Sequence, residues 1–216
     1  MNSIETSPRL FRIVVLASTN GTDLQAIIDE MKANKMPNIE LAAVISNKKN
    51  CYALERAKTQ GFKTIYISSK NPQTHTPRTR EEFDAQLSKS ITALKPNLIC
   101  LVGYMRILTP EFVRHCTTQN IQIINVHPAL IPKFSGPAFF GKAVHEAVLA
   151  AGETETGMTI HRVDENVDSG EILIQKKVSI DPADTLESLK TKVVALEKQY
   201  YPEIIRQLAE EKFRHG

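Results

Sequence analysis

Asn125 and His127 stand two residues apart where the apolar run Ile121, Ile123 and Ile124 gives way to polar side chains and then to Pro128 and Pro132. On an extended segment, residues i and i+2 project to the same side. An amide N–H₂ and an imidazole then converge, a donor pair suited to an oxyanion forming on an attacked carbonyl. The plainer alternative makes Asn125 a strand end and His127 a satisfied, half-buried histidine. A third group is available in "HRVDENVDSGEIL", where Asp164 and Asp168 lie in a turn and Gly170 permits an unusual backbone path. A carboxylate set against an imidazole raises its pKa and orients it, so Asp168 is the expected partner of His127. A rival use of His127, His145, His161 and Asp168 is a divalent metal site of a hydrolase. The absence of HxH, HxxxH and HExxH spacings argues against it.

A second loop, "STNGTD" (18–23), precedes a helical pattern. Backbone N–H groups at a helix start attract phosphate or carboxylate, and Gly21 lets the chain turn tightly there. It is neither GxGxxG nor a Walker A loop. Read only as a helix start, it would use Thr22 or Asp23 as the N-cap. Asp23 would repel an anion unless its carboxylate turned away.

The elements that must position these residues follow from periodicity. The β-branched run at 12–18 reads as a strand covered on both faces, and runs at 39–46, 63–67, 97–102 and 121–126 read as further strands. Helical spacing follows the first strand in "LQAIIDEMKAN", the second in "YALERAKTQGF" and the third from about Thr79 to Leu94. This alternation means a parallel sheet of βαβ units. After Gly141 the pattern changes to a helix, two strands joined by "DENVDS", and a last helix expected to break near Pro202. The expected fold is α/β: a Rossmann-like, mostly parallel sheet with flanking helices, then a mixed C-terminal half with a β-hairpin and a long C-terminal helix. Residues 1–11 read as a flexible N-terminal extension and residues 12–212 as a single domain. Loops 18–23, 103–108 and 125–140 then lie at the carboxyl ends of strands, where open α/β sheets bind ligands.

Composition narrows the function classes. The net charge of +3 is scattered, which suits a small anionic substrate better than nucleic acid. Three cysteines without CxxC spacing fit a reducing cytoplasm rather than a disulfide framework. No apolar run is long enough to span a membrane.

"INVHPALIPKFSG" followed by "TGMTIHRVDENVDSGEIL", with "RIVVLAS" and "NGTDLQAIID" before them and "GYMRILTPEFV" between, resembles the folate-dependent formyltransferases. Within them it is most similar to the branch that formylates glycinamide ribonucleotide (GAR) in purine (IMP) biosynthesis. The resemblance runs from about Arg12 to Pro202. It implies 10-formyltetrahydrofolate as co-substrate, the primary amine of GAR as acceptor, no metal, and a monomer or homodimer. It places Asn125 and His127 on the oxyanion, with Asp168 keeping His127 protonated. Folate would lie against Met105, Arg106, Ile107 and Leu108, facing Val163, Asp164, Glu165 and Val167, with its tail near Arg80. Gly21, Thr22 and Asp23 match the loop for the GAR phosphate, and Glu197 a residue near its ribose. Lys133 and Gly136 fall in the loop after the catalytic strand. Several positions depart from the familiar pattern: Asp23 replaces a neutral asparagine, Val194 replaces a glutamine of the same pocket, and after the proline "SGPAFFGKAVHEAV" resembles a different branch of the family. Either Lys133 or another cation compensates, or the acceptor is a different small amine. A non-catalytic folate binder is the reading from another class.

Overall fold

A computed structural model describes residues 10–215. The extension expected at 1–11 lies outside the described residues as far as residue 9, and Phe11 already belongs to the first strand. The strands are β1 (Phe11–Ala17), β2 (Ile39–Ser46), β3 (Thr64–Tyr66), β4 (Leu98–Val102), β5 (Gln122–His127), β6 (Glu155–Arg162) and β7 (Ile172–Ser179). They form one sheet in the order β3-β2-β1-β4-β5-β6-β7. Pairing is parallel from β3 across to β5 and antiparallel for β5–β6 and β6–β7. The expected α/β class holds, including the mixed C-terminal half.

The period of two along β1 divides the core. Ile13, Val15 and Ala17 pack with Leu24, Ile27 and Ile28 of α1 (Thr22–Lys32) and with Val193, Tyr201, Ile204, Ile205 and Leu208 of α6 (Leu186–His215). Val14 and Leu16 face the other way, onto Phe83, Leu87 and Ile91 of α3 (Arg80–Leu94) and Phe112 of α4 (Pro110–Thr118). Between them in the chain lies α2 (Tyr52–Thr59), and α5 (Lys142–Ala150) precedes the hairpin. Parallel strands buried on both faces need such continuous apolar runs.

Two expectations needed correction. Helix α6 does not break: it runs through Pro202. A proline removes one N–H and clashes within a helix, but apolar side chains on both sides of it are buried in one core, so tertiary packing holds the helix together. Helix α4 was not anticipated, and Pro110 stands at its start. It occupies the first helical turn, where its missing N–H costs nothing, behind a Thr109 side chain that caps Phe112 N–H.

The chain moves outward from β1 to β2 and β3, then returns to the other side of β1 for β4. The carboxyl ends of β1 and β4 therefore flank a topological switch point. Ser18 N–H reaches Gly103 O at 3.2 Å, and Met105 N–H reaches Ser18 Oγ at 3.0 Å. Gly103 adopts φ 54°, and a Cβ there would collide with the Thr19 side chain. Only glycine allows the two loops to approach so closely.

Candidate active site

Asn125 and His127 lie within β5, one step earlier in regular structure than their loop-like neighbours suggest. The antiparallel register sets Asn125 opposite His161 and His127 opposite Thr159. Asp168 reaches over this end of β5, its side chain only 10% exposed. One carboxylate oxygen lies 3.6 Å from His127 Nδ1 and the other 3.6 Å from His161 Nε2. Gly136 N–H donates to Asp168 Oδ2 at 2.9 Å. The unusual backbone expected at Gly170 sits on Asp168 itself, at φ 56°. Aspartate tolerates this left-handed conformation better than most side chains. Gly170 serves otherwise, since a Cβ there would strike Arg162 O.

The hydrogen bonds set proton positions. His161 Nδ1 donates to Arg162 O at 2.8 Å, and its Nε2 lies 3.3 Å from Asn125 Nδ2 and 3.6 Å from Asp168 Oδ1. The amide of Asn125 is thereby oriented. His127 Nε2 faces Phe134 O at 2.7 Å and so carries a proton. Phe134 itself is left-handed, at φ 53°. Thr159 Oγ1 donates to Ala129 O at 2.7 Å and accepts from Ile131 N–H at 3.2 Å, which folds the proline loop back over β6.

Charge in this cluster differs from the expectation in one respect. Burial pushes the His127 pKa below the ordinary histidine value, and this outweighs the raising effects of the Asp168 charge and the Phe134 carbonyl. The resting imidazole is therefore neutral at pH 7, not held positive by Asp168. For Asp168 burial is also the largest influence, and it raises. The bonds from His161 and Gly136 and the two imidazoles together exceed it, so the net direction is down and the group is a carboxylate. His145 is buried on α5 with Nδ1 unpartnered, and its pKa is lowered first by burial and then by Lys190 and His127. Among the described residues no three His, Cys, Asp or Glu groups are gathered as a metal would need.

The residues expected to face folate lie on two segments, the loop 105–108 and the segment 163–167. Met105 and Ile107 are exposed apolar side chains at 40% and 44%, whereas Leu108 is buried. Arg106 turns inward, its guanidinium 4.1 Å from the Phe83 ring centroid, in a cation–π contact beside buried Asp84. Arg80 is occupied: its Nε and Nη2 hold Ile107 O and Leu108 O at 3.2 and 2.9 Å. It braces this loop through two of its nitrogens. On the other segment, Val163 N–H is fixed on Ile123 O at 2.8 Å, and Asp164 Oδ1 closes a turn on Asn166 N–H and Ser169 Oγ. Glu165 pairs with Arg114, and Val167 is exposed.

The loop 18–23, expected to hold an anion, leads into α1. Gly21, not Thr22 or Asp23, is the N-cap of α1, left-handed at φ 66° with no side-chain cap bond. A Cβ on Gly21 would come 2.7 Å from Ala53 Cβ. Gln25 N–H is the first to close on Gly21 O, at 3.1 Å. The N–H groups of Thr22, Asp23 and Leu24 precede any intrahelical acceptor, as at every helix start. Asp23 is buried at 4% and its Oδ1 has no partner, and Glu197 of α6 is buried at 7%. Lys133, the candidate compensating cation, is held by both oxygens of Glu153 at 2.9 and 3.0 Å.

A family model described as formyl transferase matches residues 11–205, nearly all of the described chain. The chain belongs to that family. A phosphoribosylglycinamide formyltransferase of Haemophilus influenzae is 36% identical over 94% of this chain and 89% of that protein. A trifunctional purine biosynthetic protein adenosine-3 of Chironomus tentans is 38% identical over 92% of this chain, which spans only 14% of that longer relative. Among solved structures, a glycinamide ribonucleotide transformylase 1 of Symbiobacterium toebii aligns with TM-score 0.83 at 33% identity, covering 97% of this chain and 92% of its own. A phosphoribosylglycinamide formyltransferase of Coxiella burnetii aligns at 0.77 and 43% identity, covering 91% and 86%.

In this formyl transferase, sequence reasoning overlooked His161 as the partner of Asn125 and Asp168, and Phe134 O as the acceptor of His127. A signal for the first existed: Thr159 and His161 alternate along a strand as Asn125 and His127 do. Only the β5–β6 register says that the pairs face one another. No described helix is long and apolar enough to cross a membrane.

Proposed function

We propose that the chain transfers the formyl group of 10-formyltetrahydrofolate to the primary amine of GAR, in purine biosynthesis. The observation that carries this is the convergence of Asn125, His127 and Asp168 at the end of β5, within a family whose similar members bear that enzyme's name. The amine lone pair attacks the formyl carbon, and the carbonyl oxygen becomes an oxyanion. Asn125 Nδ2 and His127 Nε2 donate to it, the latter after exchanging Phe134 O for the oxyanion. A proton leaves the new ammonium, passes by way of water and the Asp168 carboxylate, and reaches folate N10. The oxyanion then collapses to re-form the C=O bond as the C–N10 bond breaks, its electron pair going to N10. Asn125 stabilises the developing charge without reorganising, because His161 already orients it.

The folate ring is assigned to the Met105–Leu108 loop facing Val163–Val167, and the phosphate of GAR to the N–H groups at Gly21, Thr22 and Asp23, with Glu197 at the ribose. Residues 12–212 would act as one domain. The test follows release of deformylated folate with and without GAR, in excess chelator. Turnover that depends on GAR and ignores chelator is expected. Folate binding without GAR-dependent turnover would overturn the acceptor, and chelator sensitivity would overturn the direct attack.

A further inference from the structure

We propose that Asp84 is a positioning residue for the folate co-substrate: with Arg80 it clamps the peptide unit between Leu108 and Thr109, and so fixes the loop to which the folate ring is assigned. The inference deepens that assignment and rests on it. Arg80 and Asp84 stand four residues apart on α3, so they share one face of the helix, one turn from each other. Arg80 Nη2 donates to Leu108 O at 2.9 Å, and Thr109 N–H donates to Asp84 Oδ2 at 2.7 Å. In a planar trans peptide the C=O and the following N–H point in opposite directions. A donor on the helix and an acceptor one turn further on match that arrangement group for group. Arg80 Nε adds a third bond, to Ile107 O at 3.2 Å. The clamp grips backbone alone, which leaves the side chains of Met105 and Ile107 exposed for a ligand.

Asp84 is the arm whose loss would matter most. It is 4% exposed and Thr109 is 2% exposed, so without the carboxylate a buried N–H would be left with no acceptor. Thr109 also begins α4: its Oγ1 caps Phe112 N–H at 3.2 Å, and Pro110 follows it. One bond from Asp84 therefore sets the end of the 105–108 loop and the start of α4 together. Helix α4 in turn reaches the second segment expected to face folate. Its Arg114 pairs with Glu165, and Val163 packs against the cluster that holds Leu108, Phe112 and Val113. Arg106 lies close by, its guanidinium 4.1 Å from the ring centroid of Phe83, the residue before Asp84. Burial is the largest influence on the Asp84 carboxyl and raises its pKa; the bonds from Thr109 and the charges of Arg106 and Arg80 oppose it. Asp84 is spent on backbone, so its effect belongs to folate affinity and not to the chemical step.

The experiment measures KM for 10-formyltetrahydrofolate, KM for GAR and kcat in the wild type, Asp84→Asn and Asp84→Ala, with melting temperatures alongside. Asparagine keeps an acceptor oxygen for Thr109 N–H, and alanine removes it. Asp84→Ala should raise the folate KM about tenfold, as loss of a buried hydrogen bond to a charged group implies, with GAR KM and kcat within about twofold of wild type. Asp84→Asn should recover most of that loss. A lowered melting temperature with an unchanged folate KM would reduce Asp84 to a structural role and overturn the proposal. Equal rises in both KM values would overturn it too. Asp84→Leu, which fills a similar volume without an acceptor, takes the place of Asp84→Ala if that variant does not fold. If the wild type does not saturate with folate, the folate assignment falls, and amide hydrogen exchange at Thr109 decides the clamp. Exchange faster in Asp84→Ala than in Asp84→Asn supports it, and equal exchange refutes it.

Discussion

Replacing Asp23 by asparagine should stabilise the protein at neutral pH and much less in acid. The native carboxyl has its pKa raised from 3.8 to about 6, chiefly by burial. The folded state therefore binds the proton more tightly than the unfolded chain. The resulting cost is absent below 3.8, grows as pH rises to about 6, and is constant above that. A shift of roughly 2 units at about 1.4 kcal/mol each makes the full cost about 3 kcal/mol. At pH about 4.5 the same linkage leaves about 1 kcal/mol. The amide of the Asp23→Asn variant has no charge to desolvate and escapes both, so the gain should be about 2 kcal/mol larger at pH about 7.5 than at pH about 4.5. For a chain of this size that difference is about 4–8 °C in melting temperature. Urea unfolding of both proteins at the two pH values, with equal m-values, gives it directly. A variant no more stable than wild type at neutral pH, or equally stabilised at both, would refute the claim that burial dominates at Asp23.

Asn125→Ala should lower turnover by roughly 10²–10³-fold, as expected for one lost oxyanion donor; near-normal turnover in the formyl-transfer assay would remove it from the mechanism. His127 should titrate below 6.5 in an NMR experiment on the free protein, because burial outweighs Asp168. In Asp168→Asn it should titrate lower still, since the carboxylate raises it; a value above 6.5 in the wild type would reverse the order of the two effects. Gly157→Ala should destabilise the protein by about 3 kcal/mol or more, because the new methyl would overlap Lys176 O on β7. Its melting temperature relative to wild type measures this, and an unchanged value would mean that the hairpin yields freely.

What the sequence made legible was whatever depends on local pattern. The apolar runs of β1, β2, β4 and β5 have no other reading, and parallel order follows from helices of the right length between them. Asn125, His127 and Asp168 were legible because their types are unusual where they stand. Long-range register was not. His161 becomes the orienting partner of Asn125 only because β6 pairs antiparallel with β5 in one particular alignment. The left-handed backbone was expected at Gly170 and fell on Asp168, since a glycine signals freedom without saying which neighbour uses it. Pro110 and Pro202 sit in helices for different reasons. One begins a helix, where its missing N–H costs nothing, and the other is carried through by buried packing on both sides. At Arg80 the resemblance supplied an expected place near the folate tail, and only the fold shows that its guanidinium also holds the carbonyls of Ile107 and Leu108.

The hydroxyl of Tyr201 lies 3.0 Å from Leu101 O and 3.3 Å from Ile124 O, beneath the ends of β4 and β5. One turn before it, the same helix carries Glu197. The final helix is thus fastened to the strand ends that hold the chemistry, and the walls of the crevice come from segments scattered along the whole chain. Any opening that frees this helix dismantles the site with it, so ligand binds only to the intact fold. A tightly bound analogue should then act as a global folding aid. At about a hundred times its dissociation constant it would add roughly 2.7 kcal/mol. That is enough to offset many single core substitutions, including ones on β1 or α3 far from any bound atom.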